Sequence, residues 1–114
     1  MAFDGPREVV ASAARTTTGN SGALRLRSMA RNISLLVDVT AASGTGPTLA
    51  LSVEWSHDGG TTFAAGEPAD TFTQISAASK AVKRFDVKAP DYRIVWTIGG
   101  TTPSFTFSAR EYLT

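Results

Sequence analysis

The chain has 114 residues, 42% of them hydrophobic and 18% charged, with eleven Lys and Arg against ten Asp and Glu. A chain of that length forms one core, and its composition excludes the apolar-poor, highly charged signature of disorder. The absence of cysteine excludes disulfides, thiolate zinc sites and cysteine nucleophiles.

Residues 1–22 read as an N-terminal arm, with a weak strand over 8–15 and a polar loop over 16–22; residues 23–114 read as the core of the same single domain. Asp4, Pro6, Arg7 and Glu8 stand where a signal peptide needs an apolar run, so synthesis in the cytoplasm without one is expected. No stretch approaches the ~20 apolar residues of a membrane helix, and no membrane partner is expected.

Period-two alternation recurs through most of the chain, and it is the pattern of half-buried strands. Over 33–39, Ile33, Leu35, Val37 and Val39 take one face and Ser34 and Asp38 the other, with Leu36 the one exception. After a breaker stretch at 42–47, Leu49, Leu51, Val53 and Trp55 alternate with Ser52, Glu54 and Ser56; the two runs are expected to pair. Phe85 and Val87 alternate with Arg84, Asp86 and Lys88 before Pro90 ends the run. Tyr92, Ile94, Trp96 and Ile98 then share a face, 99–103 supplies turn residues, and Phe105 and Phe107 resume, which reads as a C-terminal hairpin.

Weaker strands are expected at 23–27 and 72–75. The alanine-rich 10–14 and 76–82 lack three-and-four apolar spacing over the ~12 residues a helix needs, and read as strand or loop. Short strands, turn clusters and no helices give an all-β fold: an antiparallel β-sandwich, jelly-roll or Ig-like, of about seven to nine strands.

The sharpest motif runs from Ser56 through His57, Asp58, Gly59, Gly60, Thr61 and Thr62 to Phe63, matching the S-x-D-x-G-x-T-F pattern of the Asp-box hairpin. Its logic is structural. The Asp carboxylate accepts backbone N–H bonds across the turn, Gly supplies positive φ, and Trp55 and Phe63 clamp the ends. A propeller repeats this motif once per blade, and here there is one copy.

Chemistry is poorly supplied. His57 is the sole histidine, so a serine nucleophile has one candidate base, and Asp58 beside it points elsewhere. Glu67 with Asp70, and Asp86 with Asp91, read as solvated loop charges; a glycosidase needs such a pair across a cleft. Glu67, Asp70 and Asp58 match no EF-type calcium loop. No catalytic, cofactor or metal residue is assigned, and no enzyme activity or small-molecule substrate is expected. The basic groups at Lys80, Lys83, Arg84 and Lys88 and at Arg25, Arg27 and Arg31 read as solvated faces, and the near-neutral charge indicates no nucleic-acid partner.

Trp55 and Trp96 fall on inward faces and read as core. Phe63 and Phe72 lie in a less regular segment, and Phe3, Tyr112 and Leu113 leave apolar groups at the two ends, so these five are the candidate partner contacts.

Three stretches in order, VDVTAASGTGPTLALSVEWS, DGGTTF and YRIVWTIGGTTPSFTFSA, resemble the small β-sandwich proteins encoded among the head and tail genes of tailed bacteriophages. The resemblance covers residues 33–109. It implies a non-enzymatic, oligomeric virion component seated on the major capsid protein, with head decoration preferred over head completion or tail assembly. It carries over no catalytic residue, and it implies an arm at 1–22 that adds to a neighbour's sheet edge. The competing expectation is a carbohydrate-binding or adhesion module, which requires solvent-exposed coplanar aromatics.

Overall fold

A computed structural model describes residues 6–26 and 29–114. Among them are seven strands and no helix: β1 (Arg7–Arg15), β2 (Gly19–Asn20), β3 (Leu24–Arg25), β4 (Asn32–Ser56), β5 (Ala64–Thr71), β6 (Ser79–Asp86) and β7 (Asp91–Leu113). Among the described residues no helix is long and apolar enough to cross a membrane.

All seven strands join one antiparallel hydrogen-bonded sheet built around β4 and β7, which pair from Ile33 with Leu113 to Ser56 with Asp91. A straight strand of 25 residues spans about 80 Å, yet the molecule measures 46 × 28 × 21 Å. The β4–β7 ribbon therefore bends, and its two halves lie face to face. The first layer holds β6, the first half of β4, the second half of β7 and β1; the second holds β5, the second half of β4, the first half of β7, and β2 and β3. The result is the expected β-sandwich.

The bend corrects two expectations. Residues 33–39 and 49–55 do not pair with each other but are successive lengths of β4, and 92–98 and 105–107 are likewise successive lengths of β7 rather than a hairpin. The glycine-rich stretches at 42–47 and 99–103 lie opposite one another as the corner of the ribbon, with three register shifts between Val39 and Thr48. Gly44 has φ of 110° and Gly100 φ of 113°, where a side chain is strained. A Cβ on Gly44 would stand 2.7 Å from the Thr102 carbonyl oxygen, and one on Gly100 2.8 Å from that of Gly46. Close backbone approach at the corner excludes side chains.

Alternation set the burial correctly. Ile33, Leu35, Val37 and Val39 from one layer and Leu49, Leu51, Val53 and Trp55 from the other are buried, with Tyr92, Ile94, Trp96, Phe105 and Phe107 between them. The layers meet through edge-on ring contacts, Trp96 with Phe107 at 5.3 Å and Phe72 with Phe85 at 5.7 Å, an arrangement favoured by the ring quadrupoles. The strand expected at 72–75 is a short extension in which Phe72 and Ile75 bond to the backbone of Leu51 and Leu49.

Residues 7–15 of the expected arm lie in this chain's own sheet, along β7. Two register shifts interrupt β1, and the Arg15 guanidinium fills the resulting gap, donating to the carbonyls of Ala11, Ala13 and Phe107 while lying over the Trp96 and Phe107 rings. Backbone acceptors that the irregular ladder leaves open are satisfied by a side chain.

Candidate interaction surfaces

The Asp-box stretch forms the turn between β4 and β5, and its polar atoms are used within it. Asp58 accepts from the backbone N–H groups of Thr61 (3.1 Å) and Thr62 (2.9 Å) and from the hydroxyls of Thr62 and Ser56. Ser56, itself buried, accepts from the Gly60 N–H at 2.8 Å. These bonds, that from the Thr62 hydroxyl foremost, hold the Asp58 carboxyl well below the usual carboxylate range. Gly59 and Gly60 take positive φ, as the motif requires. Phe63 is half-buried beneath the Arg93 guanidinium, 4.3 Å from its ring centre, and Arg93 also pairs with Glu54. His57 is exposed, and among the described residues no three His, Cys, Asp or Glu side chains cluster to hold a metal ion.

Two carboxylates expected to be solvated are instead buried. Asp70 accepts the indole N–H of Trp55 at 2.7 Å and both its oxygens pair with Lys88 at 2.9 Å. Asp91 takes a two-pronged bond from Arg25, both distances 2.9 Å, which holds its carboxyl below the ordinary value. Their first partners, Glu67 and Asp86, remain exposed. A third buried acid, Glu111, sits between the layers, where Oε1 accepts from the Tyr92 hydroxyl at 2.6 Å and from Arg7 at 3.2 Å. Burial foremost, then the bond to Glu111, pushes the Tyr92 phenol far above its ordinary value. Sequence reasoning missed these ties because each joins residues remote in the chain; the one local signal was an acid at an inward position, Glu111 following Phe105, Phe107 and Ala109.

The candidate contacts divide. Phe72 and Leu113 are buried in the core, 8% and 7% exposed, so they are corrected from surface anchors to packing residues. Phe72 had no alternating run to assign its face, and Leu113 is the register partner of Ile33. Phe63 and Tyr112 are half-buried. Phe3 lies outside the described residues, as does Arg27. Trp55 and Trp96 are 3% and 7% exposed, so neither offers a face to a sugar ring.

Aliphatic surface remains in two places. At one end of the sandwich, Leu26, Met29, Ala30, Val87, Ala89 and Pro90 line an open groove of about 470 Å³, and Met29 is fully exposed. On the outer face of the first layer, Val82 is 69% exposed beside its register partner Leu36, next to a shallow recess of about 220 Å³ formed with Pro6, Ser34, Arg110, Glu111 and Tyr112.

No protein-family model and no curated protein matches this chain. Among solved structures, a chain of the "Structure of infectious bursal disease virus Gx strain" aligns with 96% of this chain at a TM-score of 0.49 and 16% identity. The alignment covers 32% of that protein, so the present chain spans about a third of its length. A likeness at this level bears on neither activity nor partner.

Proposed function

We propose that this chain is a non-enzymatic structural protein of a virus particle, a head-decoration protein that binds the major capsid protein of a tailed phage. The observation that carries the reading is the division of labour on the surface. Buried acids are spent on bonds within the chain, Glu111 joining the two layers through Tyr92 and Asp70 and Asp91 bonding Trp55, Lys88 and Arg25, whereas Met29 at the end groove and Val82 on the outer face stand exposed. Such exposure suits a protein that completes its surface by docking. The order of strand and turn sequences along 33–109 supplies the phage assignment. Burial of Trp55 and Trp96 weighs against the glycan-binding alternative.

The test is co-sedimentation of the purified chain with empty capsids assembled from the major capsid protein encoded in the same genome. Saturable binding at a fixed number of chains per capsid is expected. A chain that stays in the supernatant at every concentration overturns the proposal, and light scattering after size exclusion reports whether the chain associates by itself.

A further inference from the structure

Residues 7–26 follow β7 in reverse along most of its length and close its outer edge, since β4 occupies the other side. They pair from Arg7 with Glu111 to Arg25 with Asp91, and Leu26 donates to the Pro90 carbonyl at 3.0 Å. The ladder is irregular: β1 carries two register shifts, and the Ile98 and Ile94 N–H groups donate to the hydroxyls of Thr18 and Ser21 where a regular strand offers carbonyls. Val10 is the one buried side chain in this stretch, and Val9, Leu24 and Leu26 pack only partly against the core. Among the described residues every other buried apolar side chain lies between Ile33 and Leu113. Without residues 7–26 each layer keeps three strands and nearly all of its core.

Arginines hold the stretch in place of apolar side chains. Arg7 reaches the buried Glu111 at 3.2 Å, Arg25 takes the buried Asp91 with two bonds of 2.9 Å, and Arg15 lies 5.0 Å from the Trp96 ring centre and 4.5 Å from that of Phe107. An ion pair that opens returns both of its charges to water, and the Arg25 side chain is already 69% exposed. Such ties hold less firmly than buried apolar surface, and segments held this way open locally before the core does.

We infer that residues 7–26 form a detachable strap, which lifts from β7 as a unit while 32–113 stays folded, and that the uncovered β7 edge binds an extended basic segment. The edge itself specifies that ligand. Its backbone N–H and C=O groups take an antiparallel strand. Asp91 at one end and Glu111 at the other each call for a cation, and Trp96 with Phe107 accepts a guanidinium between them. The strap remains joined to β4 when it lifts, so it competes with a free ligand at high local concentration. This inference does not depend on the particle-binding reading.

Hydrogen exchange read by mass spectrometry on the full chain tests the strap. The slowest amides of 8–15 and 19–25 should exchange roughly tenfold or more faster than those of 33–39 and 49–55. Arg25→Ala should speed the strap amides further and leave those of β4 unchanged. A disulfide joining Ala14→Cys to Thr106→Cys, register partners across the ladder at a spacing that admits one, should slow the strap to the rate of β4. A labelled peptide of residues 6–26 tests the edge. It should bind Arg25→Ala roughly tenfold more tightly than the wild type, because more of that variant is open, and should not bind the oxidised double-cysteine chain. The same peptide carrying Arg7→Ala, Arg15→Ala and Arg25→Ala should bind none of them. Strap amides that exchange only as fast as those of β4 overturn the strap. Peptide binding that is absent from the open variant, equal on locked and unlocked chains, or indifferent to the three arginines overturns the edge. None of these results bears on co-sedimentation with capsids, so the two readings fail separately.

Discussion

Replacing Gly44 with alanine tests whether the sandwich is one ribbon folded at a corner. The new Cβ would sit 2.7 Å from the Thr102 carbonyl oxygen and 2.9 Å from both the Pro103 Cα and the Thr101 oxygen, all backbone atoms of the facing strand. Relieving that overlap costs about 1–3 kcal/mol, and placing a side chain at φ of 110° adds about 1–3 kcal/mol, so a loss near ~4 kcal/mol is expected. Gly46, three residues short of the buried Leu49, is the internal control. It also has positive φ, at 58°, but a Cβ there meets nothing within 4 Å, so Gly46→Ala should lose only the ~1–2 kcal/mol of left-handed backbone. Urea unfolding followed by the fluorescence of the buried Trp55 and Trp96 measures both, and at about 4 °C per kcal/mol the thermal midpoints should separate by roughly 8–10 °C. Equal losses in the two variants, within ~0.5 kcal/mol, would mean that the two strands do not approach closely at the corner.

The inter-layer acid gives a second test: Arg7→Ala leaves the Glu111 carboxylate buried without that cation, and since Arg7 is itself 30% exposed the cost should be about 2–3 kcal/mol. Adding Glu111→Gln to that variant should recover part of the loss in urea titrations, and strictly additive losses would show that the two groups do not interact. The turn provides a pH test. Asp58 has its folded value pushed below that of an ordinary aspartate by bonds it accepts, so its contribution is fully present above about pH 4 and is lost only as pH falls through the lowered value. In an NMR titration the Thr61 and Thr62 amide shifts should stay fixed from neutral pH to about pH 4; movement centred above that would place the carboxylate outside the turn.

Much of the sandwich was legible because alternation decides which way each side chain points, and the faces assigned to Val37, Leu51, Ile94 and Phe107 are those the structure buries. Partner choice was not legible. A glycine-rich stretch permits a reversal and a corner alike, and which occurs depends on what lies alongside; at 42–47 the neighbour is 99–104, more than fifty residues away. β5 escaped notice because its exposures follow no period and it carries Gly66 and Pro68 within an edge strand. Of the surface, Leu36 was visible as an irregularity, but its neighbours Val82 and Arg110 are set by pairings remote in the chain.

The long ribbon also dictates how the polypeptide must come together. Residues 32–56 and 91–113 furnish the central strands of both layers, so neither half of the chain encodes a unit that can assemble before the other has been synthesised. Pairings so distant along the chain incur their loop-closure entropy early and are rewarded late. Acquisition of structure should accordingly be slow, cooperative and intolerant of truncation at the C-terminal side.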